Sequence, residues 1–328
     1  MEKNYQNQII IDGLQYCNWN REIFEDLWNG GITAVHATLV YWENTEESFN
    51  RINEWNKIFD ENNDIICHAK STNDILQAKK NKKVAIIFGF QNSAPIANDI
   101  YLLQNFFNQG LRFMQLTYNN QTPLGGGCFE NNDSGVSRFG KEVIEEMNRL
   151  GIIVDLSHAG KNTCLDAIKY SSKPVAISHA NPKFFHNSLR NIEDEVLIEL
   201  AKKNGFIGLS LYPYHLKNFG ECTLEDFCAM IKKLINLIGI EHIGIGSDLC
   251  KNWPNEVVMW MRNGKWTKKI DYGESTNKNI NWPKQPIWFT KGSDLKNIFE
   301  SLVINGLSED QAYKIMGINW LNFMKNHF

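Results

Sequence analysis

Eight short apolar runs, separated by stretches of helical periodicity, constrain this 328-residue chain more than any other feature. The runs are Gln8 to Gly13, Ile32 to Tyr41, Val84 to Phe90, Arg112 to Tyr118, Ile152 to Ser157, Val175 to Ser178, Phe206 to Leu211 and His242 to Ser247. They are β-branched or aliphatic without strict polar alternation, the pattern of parallel strands buried on both faces. One helical pattern between them, Phe139 to Leu150, closes on Gly151 as a left-handed cap. A second starts near Ile192, where Asp194 and Glu195 suit a helix N-terminus, and ends by Asn204-Gly205. A third starts at Thr223, whose spacing to Asp226 resembles a capping box. Ser308 to Phe328 predicts a closing pair of amphipathic helices. Eight strands with intervening helices predict a (β/α)8 barrel of α/β class, one domain spanning residues 1–328; a doubly wound sheet stays open, because strand order is not in the pattern. The segment Trp253 to Lys291, with Trp253, Trp260, Trp266, Trp282 and Trp288, breaks the rhythm. It predicts a long excursion after the eighth strand, acting as a lid or a subunit contact.

Bulk properties narrow the function classes. The net charge of −3 comes with Lys and Arg spread along the chain, so no basic block points to nucleic acid or to a charged lipid surface. The first residues carry Asp12 just after a short apolar run, which does not suit a signal peptide, and no run is long enough to span a membrane. Seven cysteines without a CxxC pair read as reduced packing thiols. A cytoplasmic enzyme-sized domain is the class expected.

In such a barrel the polar residues at the carboxyl ends of the strands face the active site. The fifth predicted strand ends in Asp155-Leu156-Ser157-His158 and the sixth in Ser178-His179-Ala180-Asn181. Histidines at equivalent ends of neighbouring strands suit Zn²⁺ or a related divalent ion, or else are hydrogen-bonded core residues. Asp248, after Gly244 and Gly246, reads as a ligand or a general acid/base, or as a helix cap. Arg190 reads as a fork for a substrate carboxylate or as a surface partner of Glu193 or Asp194. His36, His186 and His215 read as structural or solvated. Gly125-Gly126-Gly127 lacks phosphate-loop spacing and reads as a flexible loop.

The stretch from Phe139 to His158 resembles the membrane (renal-type) dipeptidase family, the M19 metallopeptidases. So do Ile177-Ser-His179-Ala-Asn181, Leu189-Arg190-Asn191 with Asp194-Glu195, Leu211-Tyr212-Pro213 and His242-Ile-Gly-Ile-Gly-Ser-Asp248; the resemblance is weaker over the first 110 residues. It implies a metal-dependent barrel, usually with two zinc ions bridged by a carboxylate, usually a dipeptide hydrolase and commonly a homodimer. Residue by residue, His158 and His179 match two ligands of one metal. Arg190 matches the group holding the substrate's carboxylate, Asp248 the acid/base, and Tyr212 the pocket wall. The other half departs from the pattern. Where the family has Asp-Gly-His-x-Asp, this chain has Asp12-Gly13-Leu14-Gln15-Tyr16; the bridging glutamate is Gln91, and the histidine of a Thr-His-Asn pattern is Tyr118.

A single metal on His158 and His179 is therefore expected, with Gln91 a weak third donor and Asp248, water or His36 as other completions; absence of metal is the alternative. Tyr118 joins Asp248 as a catalytic candidate, and Asn119 and Tyr16 join Arg190 and Tyr212 as substrate contacts. The function expected is hydrolysis, by zinc or another divalent metal, of an amide bond in a dipeptide-like substrate with a free carboxylate. A lyase or isomerase acting on a small amino-acid derivative, with the tryptophans caging an apolar or cationic group, is the alternative. A non-catalytic ligand-binding barrel is a third.

Overall fold

The computed structural model describes residues 5–263 and 282–328. All eight predicted strands are present: β1 (Ile11–Gln15), β2 (Ala34–Val40), β4 (Val84–Phe90), β5 (Leu111–Gln115), β6 (Ile153–Asp155), β7 (Ala176–Ala180), β8 (Phe206–Leu209) and β9 (Ile243–Ile245). Every neighbouring pair is parallel, β2 pairs with β4, and β9 returns to β1 through Asp12 and Ile245, so the sheet closes into a (β/α)8 barrel. This closure excludes the doubly wound sheet. A ninth strand, β3 (Ile66–His68), pairs with the start of β4 before β5 takes that edge at Phe88. Three residues, two of them half-buried, carry too little apolar signal to stand out in the sequence.

Helices alternate with strands along the chain: α1 (Arg21–Asn29), α2 (Thr45–Glu61), α3 (Thr72–Lys80), α4 (Leu102–Asn108), α5 (Arg138–Leu150), α6 (Lys161–Tyr170), α7 (Asp194–Lys202) and α8 (Leu224–Ile238). Their ends follow local chemistry. Ser137 caps α5 by accepting from Gly140 N, and Gly151 ends it at φ +89°. Thr223 caps α8 by accepting from Asp226 N. After β9 come α9 (Asn255–Asn263), α10 (Leu295–Ile304), α11 (Glu309–Tyr313) and α12 (Asn319–Met324), the last two joined by a π turn over 314–318. Part of the predicted excursion, Trp266 included, lies outside the described residues.

Trp320 of α12 is fully buried inside the barrel and donates to Ile245 O at 2.7 Å. A Cβ at Gly13, Gly208 or Gly244 would come within 3 Å of its ring, so three strands use glycine to admit one indole. His36 on β2 is also interior: its Nδ1 lies 2.7 Å from Gly13 O and its ring stacks on Phe113 at 4.3 Å. That places it in core packing against Gly89, where a Cβ would overlap its Nε2.

Candidate active site

The site is built at the carboxyl ends of β4 to β7. Asp155, at the end of β6, is a buried carboxylate that accepts from Ser157 Oγ (2.6 Å), Ser178 Oγ (2.5 Å), Ser178 N (2.9 Å) and Gln115 Nε2 (3.2 Å). A carboxylate only accepts, so the Ser178 hydroxyl proton points at Asp155. Ser178 Oγ is also 2.8 Å from His179 Nδ1 and must be the acceptor there. His179 therefore carries its proton on Nδ1 and presents a bare Nε2.

The same logic fixes His158. Its Nδ1 is 2.6 Å from the carboxamide oxygen of Asn119, an acceptor, so Nδ1 is protonated and Nε2 is bare. The two Nε2 atoms face each other at 3.0 Å. Gln91 donates its Nε2 to Thr38 Oγ1 at 2.8 Å, which turns its Oε1 to within 3.1 Å of His158 Nε2. Three lone pairs thus converge where no proton belongs to any of them, an arrangement that calls for a cation between them. Burial, and then the nearby Arg190 guanidinium, hold both imidazoles well below their ordinary pKa, which keeps them neutral and ligand-competent.

This donor set offers its lone pairs to a divalent ion. Two imidazoles and an amide oxygen suit zinc or a similar metal, one strong donor short of the usual three protein ligands. Among the described residues no cluster of three or more His, Cys, Asp or Glu could hold an ion, so neither Asp248 nor His36 completes a three-residue set with the pair. Leu14 and Tyr16, at the departed ligand positions, instead belong to a buried cluster with Tyr41, Trp42, Tyr118 and Met261. The Tyr118 ring lies 4.4 Å from that of His158 and meets Tyr41 and Trp42 edge-to-face.

The remaining predicted residues take these places. Arg190 is 1% exposed; it donates to the carbonyls of Ser157 and, at 3.4 Å, His179. It thereby braces the two histidine-bearing strand ends. Asn119, expected at the substrate, holds the tautomer of His158 from a left-handed backbone at φ +62°. Asp248, at φ +57°, follows β9 with its N–H on Leu14 O, close enough to Tyr16 for its charge to add to the rise that burial gives the phenol. Tyr212 is buried against Tyr214 and His215, and His215 takes a structural bond with Ser210 Oγ at 2.8 Å. His186 meets Phe219 edge-on. The triple-glycine segment is not loose: Gly126 N donates to Thr163 Oγ1, and Gly127 packs so tightly on Asn119 O that no Cβ fits. Trp253 donates to Tyr16 O, Trp282 to Trp253 O and Trp288 to Cys222 O, so these tryptophans pack the excursion onto the barrel.

Three supporting residues went unassigned in the sequence: Asp155, Ser178 and Thr38. For Asp155 and Ser178 the signal was present, since each lies within three residues of a strand-end histidine. Thr38, mid-strand on β2, offered none.

The family model of membrane dipeptidase, peptidase family M19, matches residues 21–257. An uncharacterized dipeptidase of Schizosaccharomyces pombe is 31% identical over 193 residues, covering 57% of this chain and 46% of its own length. Dipeptidase 3 of Mus musculus is 33% identical over 175 residues, half of this chain and 35% of that one. The chain therefore spans about half, or less, of the length of these curated relatives. An amidohydrolase from Pseudomonas aeruginosa superposes with a TM-score of 0.94 at 33% identity, over 99% of this chain and 98% of that one. A metallo peptidase from Rhodobacter sphaeroides, solved with a phosphinate mimic of the dipeptide L-Ala-D-Ala, shares the fold at a TM-score of 0.82 and 16% identity, over 98% of this chain and 100% of that one. Barrel, strand-end histidine pair and sequence match agree, and the chain belongs to the membrane dipeptidase family M19.

Proposed function

We propose that the protein hydrolyses the amide bond of a dipeptide or dipeptide-like substrate with a free carboxylate, at a site built for one divalent metal ion, zinc by donor type. The observation that carries this reading is the convergence of His158 Nε2, His179 Nε2 and Gln91 Oε1, all lone pairs by their partners. An ion bound there supplies Lewis acidity and an acidified water.

The chain's own residues do the rest. Ser178 and Asp155 keep the His179 ring in one tautomer and one orientation, and Asn119 does so for His158. Arg190, the main charge felt by both histidines after burial itself, sets a positive field toward which a substrate carboxylate is drawn. Asp248 takes the proton of the attacking water and returns it to the leaving amine. Tyr118 covers one side of His158 and sheds water there, while Tyr16, in the same buried cluster, forms wall. The relatives named dipeptidases and the fold neighbour holding a dipeptide mimic support a peptide-sized substrate.

Turnover of a panel of L,L- and L,D-dipeptides, measured with metal content, tests the reading. The expected result is one metal per chain and loss of about two orders of magnitude in kcat/KM on chelation or in His158→Ala. Turnover indifferent to chelation sinks it. A second reading has the close Tyr118–His158 ring contact behind it: proton transfer in a lyase or isomerase acting on an amino-acid derivative. Turnover of such a derivative, with every dipeptide left intact, selects that reading.

A further inference from the structure

Beside Tyr41, a cavity of about 270 Å³ lies between α2, the β1 and β2 loops and the start of α9. None of His158, His179, Gln91, Arg190 and Asp248 lines it, though Thr38, which orients Gln91, does. Five aromatic side chains do: Trp19, Tyr41, Trp55, Trp253 and Trp260.

One polar feature inside it is built and not incidental. Glu43 is 5% exposed, and its Oε2 is fixed by the N–H groups of Tyr41 (2.7 Å) and Trp42 (3.0 Å). Its other oxygen stands 3.6 Å from Arg51 Nε, while Arg51 gives its short contact, 2.8 Å, to Glu54 at the exposed rim. Two carboxylates against one guanidinium leave the cavity with one negative charge.

Aromatic faces around a deep carboxylate attract a cation whose body is apolar. They supply few acceptors for the three N–H groups of a primary ammonium, so an alkylated ammonium meets less unsatisfied polarity here. We propose that this cavity is a binding site, adjacent to the histidine pair but not lined by it, for a small alkylated organic cation that lies against Glu43 and the rings.

Calorimetry and tryptophan fluorescence on the full chain test this with two probes of one shape: choline carries the charge and 3,3-dimethylbutan-1-ol lacks it. Choline is expected to bind about tenfold tighter. Glu43→Gln, which keeps an acceptor for the Tyr41 and Trp42 N–H groups, should erase that advantage. Absence of saturable choline binding, equal affinity for the two probes, or a preference untouched by Glu43→Gln overturns the proposal.

Discussion

At position 91 an amide stands where a carboxylate would bind two dications together. Its orientation is not free: Thr38 takes the N–H₂ end, so the oxygen faces His158 Nε2 at 3.1 Å. Gln91→Glu puts a charged oxygen in the same place with little change in volume. Zinc affinity should rise by about tenfold or more, read by competition with a chromogenic chelator, because ionised oxygen is the stronger donor to a hard or borderline cation. Unchanged affinity would show that Gln91 does not face the ion. One residue further from the site, Ser178→Ala removes the acceptor that holds the proton on His179 Nδ1. Loss of such a partner weakens metal binding by about 10- to 100-fold in comparable sites. A Ser178→Ala protein that binds zinc like the parent contradicts the tautomer assignment.

Among the elements, α5 and its exit into β6 place Asp155, Ser157 and His158, and the exit depends on Gly151. That residue sits at φ +89°, and a Cβ there would lie 2.5 Å from His327 O. Gly151→Ala should destabilise the protein by about 1–2 kcal/mol, seen as a lower denaturant midpoint with unchanged slope. Equal stability would mean that the C-terminal turn moves aside. This element was readable from the chain alone, because a 3.6-residue apolar pattern closed by glycine is a local signal. So were the eight barrel strands, since strands buried on both faces form continuous apolar runs. β3 was not readable, being three residues long and half-exposed. The site divides along the same line. His158, His179 and Gln91 were legible as strand-end residues, whereas the bracing of Arg190 on Ser157 O and His179 O joins segments that only the closed barrel brings together. The rigidity of Gly125 to Gly127 is likewise invisible locally, because its partners Thr163 and Asn119 are distant or contact it through backbone.

Across the whole molecule, burial holds several imidazoles below their ordinary pKa. Burial lowers the pKa of His36 to about 4 and of His68 to about 4, and holds His158 and His179 well below the ordinary range. In the unfolded chain each titrates near 6.5. Between about 6.5 and about 4 the unfolded state therefore binds more protons, and stability must fall as the pH drops through that window. The buried carboxyl of Asp12, raised by desolvation, acts in the opposite sense. For fully buried His36 alone, moving from about pH 7.5 to about pH 5.5 removes about 1.3 kcal/mol, roughly 1.4 kcal/mol for each pH unit below the unfolded value. Urea unfolding at the two pH values should show that loss and more, as the other three histidines add to it. His36→Asn, which keeps a donor toward Gly13 O without a titratable ring, should have a shallower pH dependence than the parent. Equal midpoints for the parent protein at both pH values would mean that these histidines are already paired with protons or cations in the folded state. Bound metal would do that for His158 and His179 but not for His36 and His68, so repeating the titration after chelation separates the two pairs.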